Sequence, residues 1–497
     1  MLPPHLPIEA LPAWALLNDV AFVDVKVKAI EGKGYGLVCD RKLSTKEDTF
    51  DLPTLVTVPH NLVLNIEAVE EYAKEDRNFK QLLDVAGHHS ARGTILLFLL
   101  VQTVLASRTS ASEPAATGHS SVGVSNPWTE YVKFLPDPLD LLVPTLWTEH
   151  ERLLLRGTSL ESAVKAKISA LTAEFLAVRE ASSDILVWNE MLWEREMVGF
   201  RDWIFLDAVY RSRCLELPRS GQSMVPCIDM INHSANPTVY YDENARDETV
   251  LLLRPDTDVS SGEEVTISYG DAKSAAEMLF SYGFVDPAST AGEDSLVLPL
   301  DPFPDDPLAK AKLVTFGKPP KIHVARDKGS GAVRWKSPFA YLMCVNEEDG
   351  LEFRVLQDND GNRQLRIFWL DEDVTERTTD FETLIRNHKE LSALLSLRTV
   401  TVVQESLQAQ LDSLGFNSEL DSMTPSDLPL VREGCLSSAI LLRQSETDIL
   451  RSAIEALEKE RCTLLEDKTV VAYLGSMETA KSDLVDEEAS NEDDDFS

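Results

Sequence analysis

The sequence predicts an α+β protein, and three observations carry this prediction. Short segments in which apolar and polar residues alternate, typical of half-buried strands, occur within the first 59 residues and again after residue 211. Between them lies a long stretch with the apolar spacing of amphipathic helices. Beyond residue 290 short strands come first, and helical spacing then dominates, so we expect a mainly α-helical C-terminal domain.

The individual elements follow from local pattern and turn residues. Strands are predicted at residues 20–29, 37–39, 55–58, 249–253 and 264–268. Residues 94–105 are apolar on nearly every side, which predicts a helix in the centre of the protein. Further helices are predicted where apolar residues recur at helical spacing, at residues 164–178, 203–210, 273–282 and 450–464.

These elements divide the chain into five predicted parts. Residues 1–59 and 211–290 would form the two halves of one strand-rich domain, separated by a helical insertion over residues 60–210. A mobile loop is predicted at 107–125, which is rich in Ser, Ala, Thr and Gly. Residues 291–480 would form a substrate-binding-like helical domain. Residues 481–497 carry eight acidic side chains and no basic ones after Lys481, so a disordered tail is expected.

The charge balance limits the partners. The chain of 497 residues has 47 Lys and Arg against 83 Asp and Glu, a formal charge of −36. A field of this sign repels phosphate backbones and anionic lipids and favours basic partners. We therefore expect neither a nucleic acid nor a membrane as partner, and we expect a monomer.

The six cysteines indicate a reducing compartment. They are scattered, without a CxxC or CxC pair, so the sequence shows no structural zinc site and no metal is expected. The first 16 residues lack the pattern of a signal peptide. We expect a cytoplasmic protein, with the nucleus as the second compartment.

A glycine-rich turn follows the first predicted strand. Residues 32–37 read Gly-Lys-Gly-Tyr-Gly-Leu, and a strand follows them where a dinucleotide fingerprint would require a helix. The remaining functional interpretation is a turn that lets a ligand approach the backbone closely. Taken alone, the motif favours a plain glycine turn over a ligand site.

Two further motifs follow in a fixed order. Asn232, His233 and Ser234 close an apolar run, and buried polar side chains of this kind require hydrogen-bonding partners. Residues 264–269 then read Glu-Val-Thr-Ile-Ser-Tyr, which places Tyr269 at the end of a predicted strand. A Tyr-Gly-Phe triplet at residues 282–284 comes next.

In this order the motifs resemble those of the SET-domain protein methyltransferases. The long helical stretch before Asn232, the Tyr-Gly-Phe triplet and the helical C-terminal region are similar to the class of the Rubisco large-subunit lysine methyltransferase. The resemblance implies a SET-domain β-fold with a long helical insertion, and S-adenosyl-L-methionine as the cofactor. Histone-type relatives with a post-SET region have zinc-binding cysteines after the tyrosine motif, whereas here Cys344 follows alone.

The resemblance also implies a role for particular residues. Tyr269 corresponds to the family's catalytic tyrosine. The cofactor would be held by Lys33, Gly34, Tyr35, Gly36, Arg213, Asn232, His233 and Phe284. The substrate channel would be lined by Ser212, Asp229, Tyr240 or Tyr241, and Tyr282. Because side chains alternate along a strand, only one of Tyr240 and Tyr241 can point inward.

The chemistry of methyl transfer to an amine is consistent with a channel lined by aromatic residues. Methyl transfer needs a neutral amine, whereas a free lysine has a pKa of about 10.4. Apolar and aromatic surroundings lower that pKa because they disfavour the ammonium ion. The leading hypothesis is therefore a protein-lysine N-methyltransferase that acts on a basic non-histone protein, such as a ribosomal or translation protein.

Two alternatives remain open at this point. The first is a protein-histidine N-methyltransferase, because an imidazole with a pKa of about 6.5 needs less help to lose its proton. The second is a non-catalytic SET fold that serves as a protein-interaction module. The intact Gly34, Arg213, Asn232, His233 and Tyr269 argue against this second alternative.

Overall fold

The computed structural model describes residues 4–46, 51–87, 90–110, 126–194, 197–270, 273–286, 293–357, 363–415 and 430–476. Residues 111–125 of the predicted mobile loop and the predicted acidic tail lie outside these ranges. Residues 358–362 also lie outside them; the segments on either side, Leu351–Gln357 and Arg363–Trp369, pair as antiparallel strands.

The N-terminal region consists of one helix and five short strands. These are α1 (Leu11–Leu17), β1 (Ala21–Phe22), β2 (Val25–Ile30), β3 (Gly34–Cys39), β4 (Leu43–Ser44) and β5 (Thr54–Val58). The single strand predicted over 20–29 is divided, because the backbone at Asp24 turns into the left-handed region with φ +60°. The second predicted strand begins earlier than expected, at Gly34, where it pairs with Ile30.

Helices fill the insertion, as the apolar spacing predicts. They are α2 (Ile66–Glu75), α3 (Arg77–Ala86), α4 (Ala91–Ser110), α5 (Pro127–Tyr131), α6 (Glu149–Arg152), α7 (Leu160–Ser183), α8 (Leu186–Trp188) and α9 (Phe200–Arg213). Residues 95–101 of α4 are all almost completely buried, so this helix is central. The last helix, α9, ends at Arg213 and so delivers its final turn to the functional site described below.

The second strand-rich segment folds back onto the first. It contains β6 (Cys214–Leu217), β7 (Gly221–Met224), β8 (Val239–Glu243), β9 (Thr249–Leu253), β10 (Asp258–Val259), β11 (Glu264–Val265) and α10 (Ala275–Tyr282). The sheets have the orders β1-β5-β9-β8, β11-β3-β2, β10-β4 and β6-β7, and every pairing is antiparallel. Three of the four sheets therefore pair a strand of the N-terminal region with a strand of this second segment, across the helical insertion.

Two predictions for this segment need correction. The strand predicted over 264–268 ends at Val265, because Thr266 and Ile267 bond instead to the loop at residues 232–239. The helix predicted over 273–282 begins at Ala275, because the Ser274 hydroxyl accepts the Glu277 N–H and caps the helix.

The C-terminal region begins with two three-stranded sheets and ends with long helices. Its elements are β12 (Glu293–Pro299), α11 (Ala309–Phe316), β13 (Lys321–Asp327), β14 (Val333–Lys336), α12 (Pro338–Met343), β15 (Leu351–Gln357), β16 (Arg363–Trp369), β17 (Glu372–Asp373), α13 (Phe381–Asn387), α14 (Ser392–Gly415) and α15 (Glu433–Leu465). The predicted fold class, α+β with a helical C-terminal region, is confirmed. Within the described ranges no helix has the length and apolar character required to cross a membrane.

Polar contacts attach the C-terminal helices to the insertion. Arg432 forms a two-point ion pair with the buried Glu151, at 2.8 and 3.0 Å. On α15 the Glu446 side chain is 2% exposed and accepts the Ser159 N–H at 3.0 Å. Burial raises the pKa of Glu446 from its ordinary value of 4.5 to about 7. The contact therefore involves a carboxyl group that is protonated more readily in the folded protein than in the unfolded chain.

The raised pKa of Glu446 predicts a pH-dependent stability. The stabilisation from protonated Glu446 is complete below about pH 4.5 and is lost as the pH rises through 7. The reason is that the unfolded chain, with the lower pKa, releases this proton at a lower pH than the folded protein does. In Glu446→Gln the decrease in the free energy of unfolding between pH 5 and 8 should shrink by roughly 3 kcal/mol relative to the unmodified protein.

Urea denaturation at several pH values measures this difference. Glu455→Gln, which replaces an exposed glutamate on the same helix, is the control and should retain the original pH profile. Identical pH profiles for Glu446→Gln and the control would refute the assignment.

Candidate active site

The glycine-rich motif forms the end of a β-hairpin. β2 and β3 pair from Val25 with Cys39 to Ile30 with Gly34, which leaves residues 31–33 as the turn. Gly32 and Gly34 have φ values of +74° and +80°, which side-chain-bearing residues rarely adopt. No atom lies within 4 Å of the position that a Cβ would take on either glycine, so the turn exposes bare backbone to open space.

Gly36 has a different role, because its surroundings are crowded. A Cβ there would lie 2.6 Å from Glu264 Oε1 and 2.8 Å from Asn232 Nδ2. The Asn232 amide donates to Glu264 Oε1 at 2.7 Å and to the Tyr35 carbonyl at 3.1 Å. Glu264 Oε2 in turn pairs with Lys33 at 2.9 Å. One carboxylate thus fixes both the glycine turn and the Asn232 side chain.

Arg213 is held at the end of α9 by a buried acid. Its guanidinium donates to the Asp229 carbonyl oxygen at 2.8 Å and to the Asp229 carboxylate at 3.2 Å. The Asp229 carboxylate also accepts a hydrogen bond from the Tyr131 hydroxyl. Burial raises the pKa of Asp229, while the charge of Arg213 acts in the opposite direction. The ion pair fixes the guanidinium on one wall of a cavity.

His233 connects the two polar motifs. The backbone of residues 232–234 bonds to Ile267 on both sides, with the Ile267 N–H donating to the Asn232 carbonyl and the Ser234 N–H to the Ile267 carbonyl, each at 3.0 Å. The Tyr269 N–H donates to His233 Nδ1 at 3.1 Å. Because Nδ1 accepts this bond, a neutral His233 carries its proton on Nε2. These bonds hold Tyr269 next to the Asn-His segment.

Tyr269 belongs to a cluster of four aromatic rings. The Tyr269 ring centre lies 4.4 Å from Tyr282, 5.3 Å from His233 and 6.4 Å from Phe284. Tyr282 and Phe284 flank Gly283, which ends α10 with φ +86° and packs against the backbone of residues 142–143 so closely that a Cβ would clash at 2.8 Å. A glycine is therefore required between the two aromatic residues.

The Tyr269 hydroxyl points to a backbone acceptor. It donates to the Ile231 carbonyl oxygen at 2.8 Å. Burial raises the pKa of Tyr269 above its ordinary value of 10, so the side chain is a neutral phenol at physiological pH. The Tyr282 hydroxyl donates to the Tyr269 carbonyl at 3.3 Å.

A large cavity of about 860 Å³ lies on one side of Tyr269. It is within the size range of small-molecule sites. All of the residues predicted to hold the cofactor, except Gly36, line it: Lys33, Gly34, Tyr35, Arg213, Asn232, His233 and Phe284. Gly36 lies directly behind its wall, against Asn232 and Glu264.

A smaller cavity of about 330 Å³ also borders Tyr269. Its walls include Tyr241, Cys214, Glu216, Gln222 and Lys273. Three residues line both cavities: Ser212, Tyr269 and Tyr282. The two spaces therefore meet at the predicted catalytic tyrosine.

Two of the predicted substrate residues lie elsewhere. Tyr240 lines neither cavity, since its ring lies beneath the Arg254 guanidinium at 5.8 Å, whereas its neighbour Tyr241 lines the smaller one. The two side chains face opposite sides of the strand, and it is Tyr241 that faces the smaller cavity. Asp229 lines the larger cavity instead of the smaller one, because its carboxylate is buried against Arg213.

Several residues that shape the site have no signal in the sequence pattern that would assign them this role. Glu264 belongs to the Glu-Val-Thr-Ile-Ser-Tyr motif, but only the structure shows its bonds to Asn232 and Lys33. Tyr131 bonds to Asp229 across 98 positions, and no sequence pattern indicates such a contact. Lys273 follows Tyr269 by four positions, a short separation that could have drawn attention to it. In the described part of the chain, no group of three or more His, Cys, Asp or Glu residues is placed to hold a metal ion.

Comparison with known proteins identifies the domain that carries these cavities. Residues 34–270 match the SET domain family. These residues form a SET domain. SET domain-containing protein 8 of Schizosaccharomyces pombe is 29% identical over 353 residues, which are 71% of this chain and 76% of that protein. The chloroplastic [fructose-bisphosphate aldolase]-lysine N-methyltransferase of Arabidopsis thaliana is 26% identical over 331 residues, which are 63% of this chain and 60% of that enzyme.

Solved structures of the same class share the fold of this SET-domain protein. The SET domain of LSMT bound to lysine and AdoHcy has a TM-score of 0.63 and 20% identity, covering 92% of this chain and 93% of that chain. Rubisco LSMT bound to AdoMet gives the same score and identity. The predicted resemblance to the Rubisco large-subunit methyltransferase class is confirmed, and the predicted enzyme class, protein-lysine methyltransferase, is that of the Arabidopsis relative. AdoMet, the predicted cofactor, is bound in the second of these structures.

The crowding around Gly36 predicts a specific loss in Gly36→Ala. The added methyl group would displace Asn232 and Glu264 from the wall of the larger cavity. We expect the Kd for S-adenosylhomocysteine, measured by calorimetry, to rise at least about tenfold, which is about 1.4 kcal/mol. Gly329→Ala, where the nearest atom would be 3.5 Å away, is the control and should bind normally. An unchanged Kd for S-adenosylhomocysteine in Gly36→Ala would contradict the proposal that Asn232 and Glu264 form the wall of the cofactor cavity.

Proposed function

We propose that this enzyme transfers a methyl group from S-adenosyl-L-methionine to lysine side chains of a basic, non-histone protein. The observation that carries the proposal is the meeting of two cavities at Ser212, Tyr269 and Tyr282. One cavity has the polar wall and the size for a cofactor. The other is narrower and is lined with tyrosines, which suits the apolar stem of a lysine.

The larger cavity fits the proposed cofactor in its donor set. The fixed Arg213 guanidinium matches a carboxylate, and the bare backbone of Gly34 permits close approach. His233 and Phe284, with ring centres 6.1 Å apart, offer flat apolar surfaces to a planar base. When bound there, S-adenosyl-L-methionine would supply an electrophilic methyl group on a sulfonium.

Two tyrosines of the smaller cavity favour a neutral amine, whereas the Glu216 carboxylate on its wall would attract an incoming ammonium ion. Burial raises the pKa values of Tyr241 and Tyr282, so both remain uncharged and offer no anion that would stabilise an ammonium ion. A lysine that enters this space exchanges water for aromatic walls, and its pKa falls. We infer that the proton leaves through the open side of the cavity before the nitrogen reacts.

Tyr269 then positions the reacting nitrogen. It is fixed at two points, by its N–H on His233 and by its hydroxyl on the Ile231 carbonyl. As a neutral phenol it can orient an amine without becoming a competing nucleophile. Holding the two reactants in line in this way can account for a large part of the rate acceleration of a bimolecular step.

The charge of the chain supports a basic substrate. A protein with a formal charge of −36 attracts cationic partners at long range and accelerates their encounter. We propose a ribosomal or translation protein as the substrate, in the cytoplasm or the nucleus. Methylated-lysine proteomics of cells with and without the enzyme, followed by mass spectrometry of the modified residue, tests this. A methylated histidine as the only product would overturn the lysine assignment.

The position of Tyr269 predicts a loss of chemistry without a loss of binding in Tyr269→Phe. Methyl transfer to proteins of a lysine-rich lysate should fall at least a hundredfold, because the hydroxyl that orients the amine is removed. The Kd for S-adenosylhomocysteine should change less than about threefold. Labelled cofactor measures the first quantity and calorimetry the second.

Tyr240→Phe is the matched control, because this tyrosine lies outside both cavities on the neighbouring sheet. It should retain full activity. Full activity in Tyr269→Phe, or an equal loss in both variants, would contradict the assigned role.

A further inference from the structure

One lysine of this chain lies in the smaller cavity, where the proposed function places the substrate lysine. Lys273 lines that cavity together with Tyr241, Tyr269 and Tyr282. Its ammonium donates a hydrogen bond to the Tyr269 carbonyl oxygen and lies 5.5 Å from the centre of the Tyr282 ring. A carbonyl acceptor and an aromatic face are the groups that attract any ammonium ion entering this space.

The Lys273 nitrogen lies close to the residues that both cavities share. Of the three residues that both cavities share, Lys273 contacts two, the carbonyl of Tyr269 and the ring of Tyr282. The Tyr282 hydroxyl donates to the same carbonyl oxygen at 3.3 Å. The side chain as a whole is exposed, so a proton released from its nitrogen can pass to water.

We propose that Lys273 is a methyl acceptor of its own active site when no protein substrate occupies the smaller cavity. This inference rests on the proposed function. The Lys273 ammonium first gives a proton to solvent. Its nitrogen lone pair then attacks the sulfonium methyl carbon of S-adenosyl-L-methionine, the N–C bond forms as the S–C bond breaks, and S-adenosylhomocysteine leaves as a neutral thioether.

The short tether makes this reaction intramolecular. Lys273 is joined to Tyr269 by three intervening residues, so its effective concentration at the site is high and independent of the protein concentration. The rate of methylation per molecule should therefore stay constant when the enzyme is diluted tenfold. In a mixture of active protein and Tyr269→Phe protein, only the active chain should carry the label on Lys273.

The decisive experiment incubates the full chain with S-adenosyl-L-methionine carrying a trideuterated methyl group and maps the label by peptide mass spectrometry. We expect label on Lys273, none in Tyr269→Phe and none at position 273 in Lys273→Arg. Lys28→Arg, which replaces an exposed lysine on β2, is the control and should still be labelled at Lys273. Label on other lysines alone, or equal label on the Tyr269→Phe chain in the mixture, would overturn the proposal.

A second measurement needs no cofactor and tests the position of the amine. Acetylation of the free protein by an N-hydroxysuccinimide ester should be at least tenfold slower at Lys273 than at Lys28, because the Lys273 nitrogen is engaged by a carbonyl and a ring. Equal rates would show that Lys273 does not occupy the cavity.

The two proposals fail separately. If proteins of a lysine-rich lysate are methylated while Lys273 stays unmodified, the present inference is wrong and the proposed function stands. If neither is methylated while S-adenosylhomocysteine binds normally, the proposed function itself fails.

Discussion

The structure depends on the way Tyr269 is fixed against the Asn232–His233 segment. Its N–H bonds to the His233 imidazole, its hydroxyl bonds to the Ile231 carbonyl, and Ile267 bonds to the backbone on both sides of His233. These bonds fix the position of the Tyr269 ring, which lines both cavities. Its burial keeps the phenol neutral, which allows it to orient an amine rather than attack the cofactor.

The rest of the fold supports this arrangement from several directions. The glycine hairpin closes one cavity and is tied to Asn232 through Glu264. The end of α9 supplies Ser212 and Arg213, whose position is fixed by the buried Asp229. The helix α10 supplies Tyr282, and Gly283 allows the chain to pass tightly against residues 142–143 of the insertion. The C-terminal helices are attached to that same insertion by Arg432 and Glu446.

Much of this arrangement could be predicted from sequence, for physical reasons that are specific to each element. The apolar residues of α4 and the alternation in β2 follow hydrophobic periodicity, and the order of the motifs indicated the family. The choice between Tyr240 and Tyr241 could not be made, because alternation gives opposite faces without saying which is buried. The Tyr131–Asp229 contact and the place of Asp229 in the larger cavity depend on long-range packing, which local patterns do not encode. The early end of the strand at Val265 likewise reflects tertiary bonds to residues 232–239.

If the two cavities form one reaction channel that meets at Tyr269, S-adenosylhomocysteine has to bind in one defined orientation. A crystal structure of the full chain with S-adenosylhomocysteine tests this most directly. We expect the ligand carboxylate to lie at Arg213 and the sulfur to face the opening beside Tyr269, toward the space lined by Tyr241 and Tyr282. A ligand bound in another part of the chain, or one whose sulfur is separated from the smaller cavity by protein, would contradict this expectation.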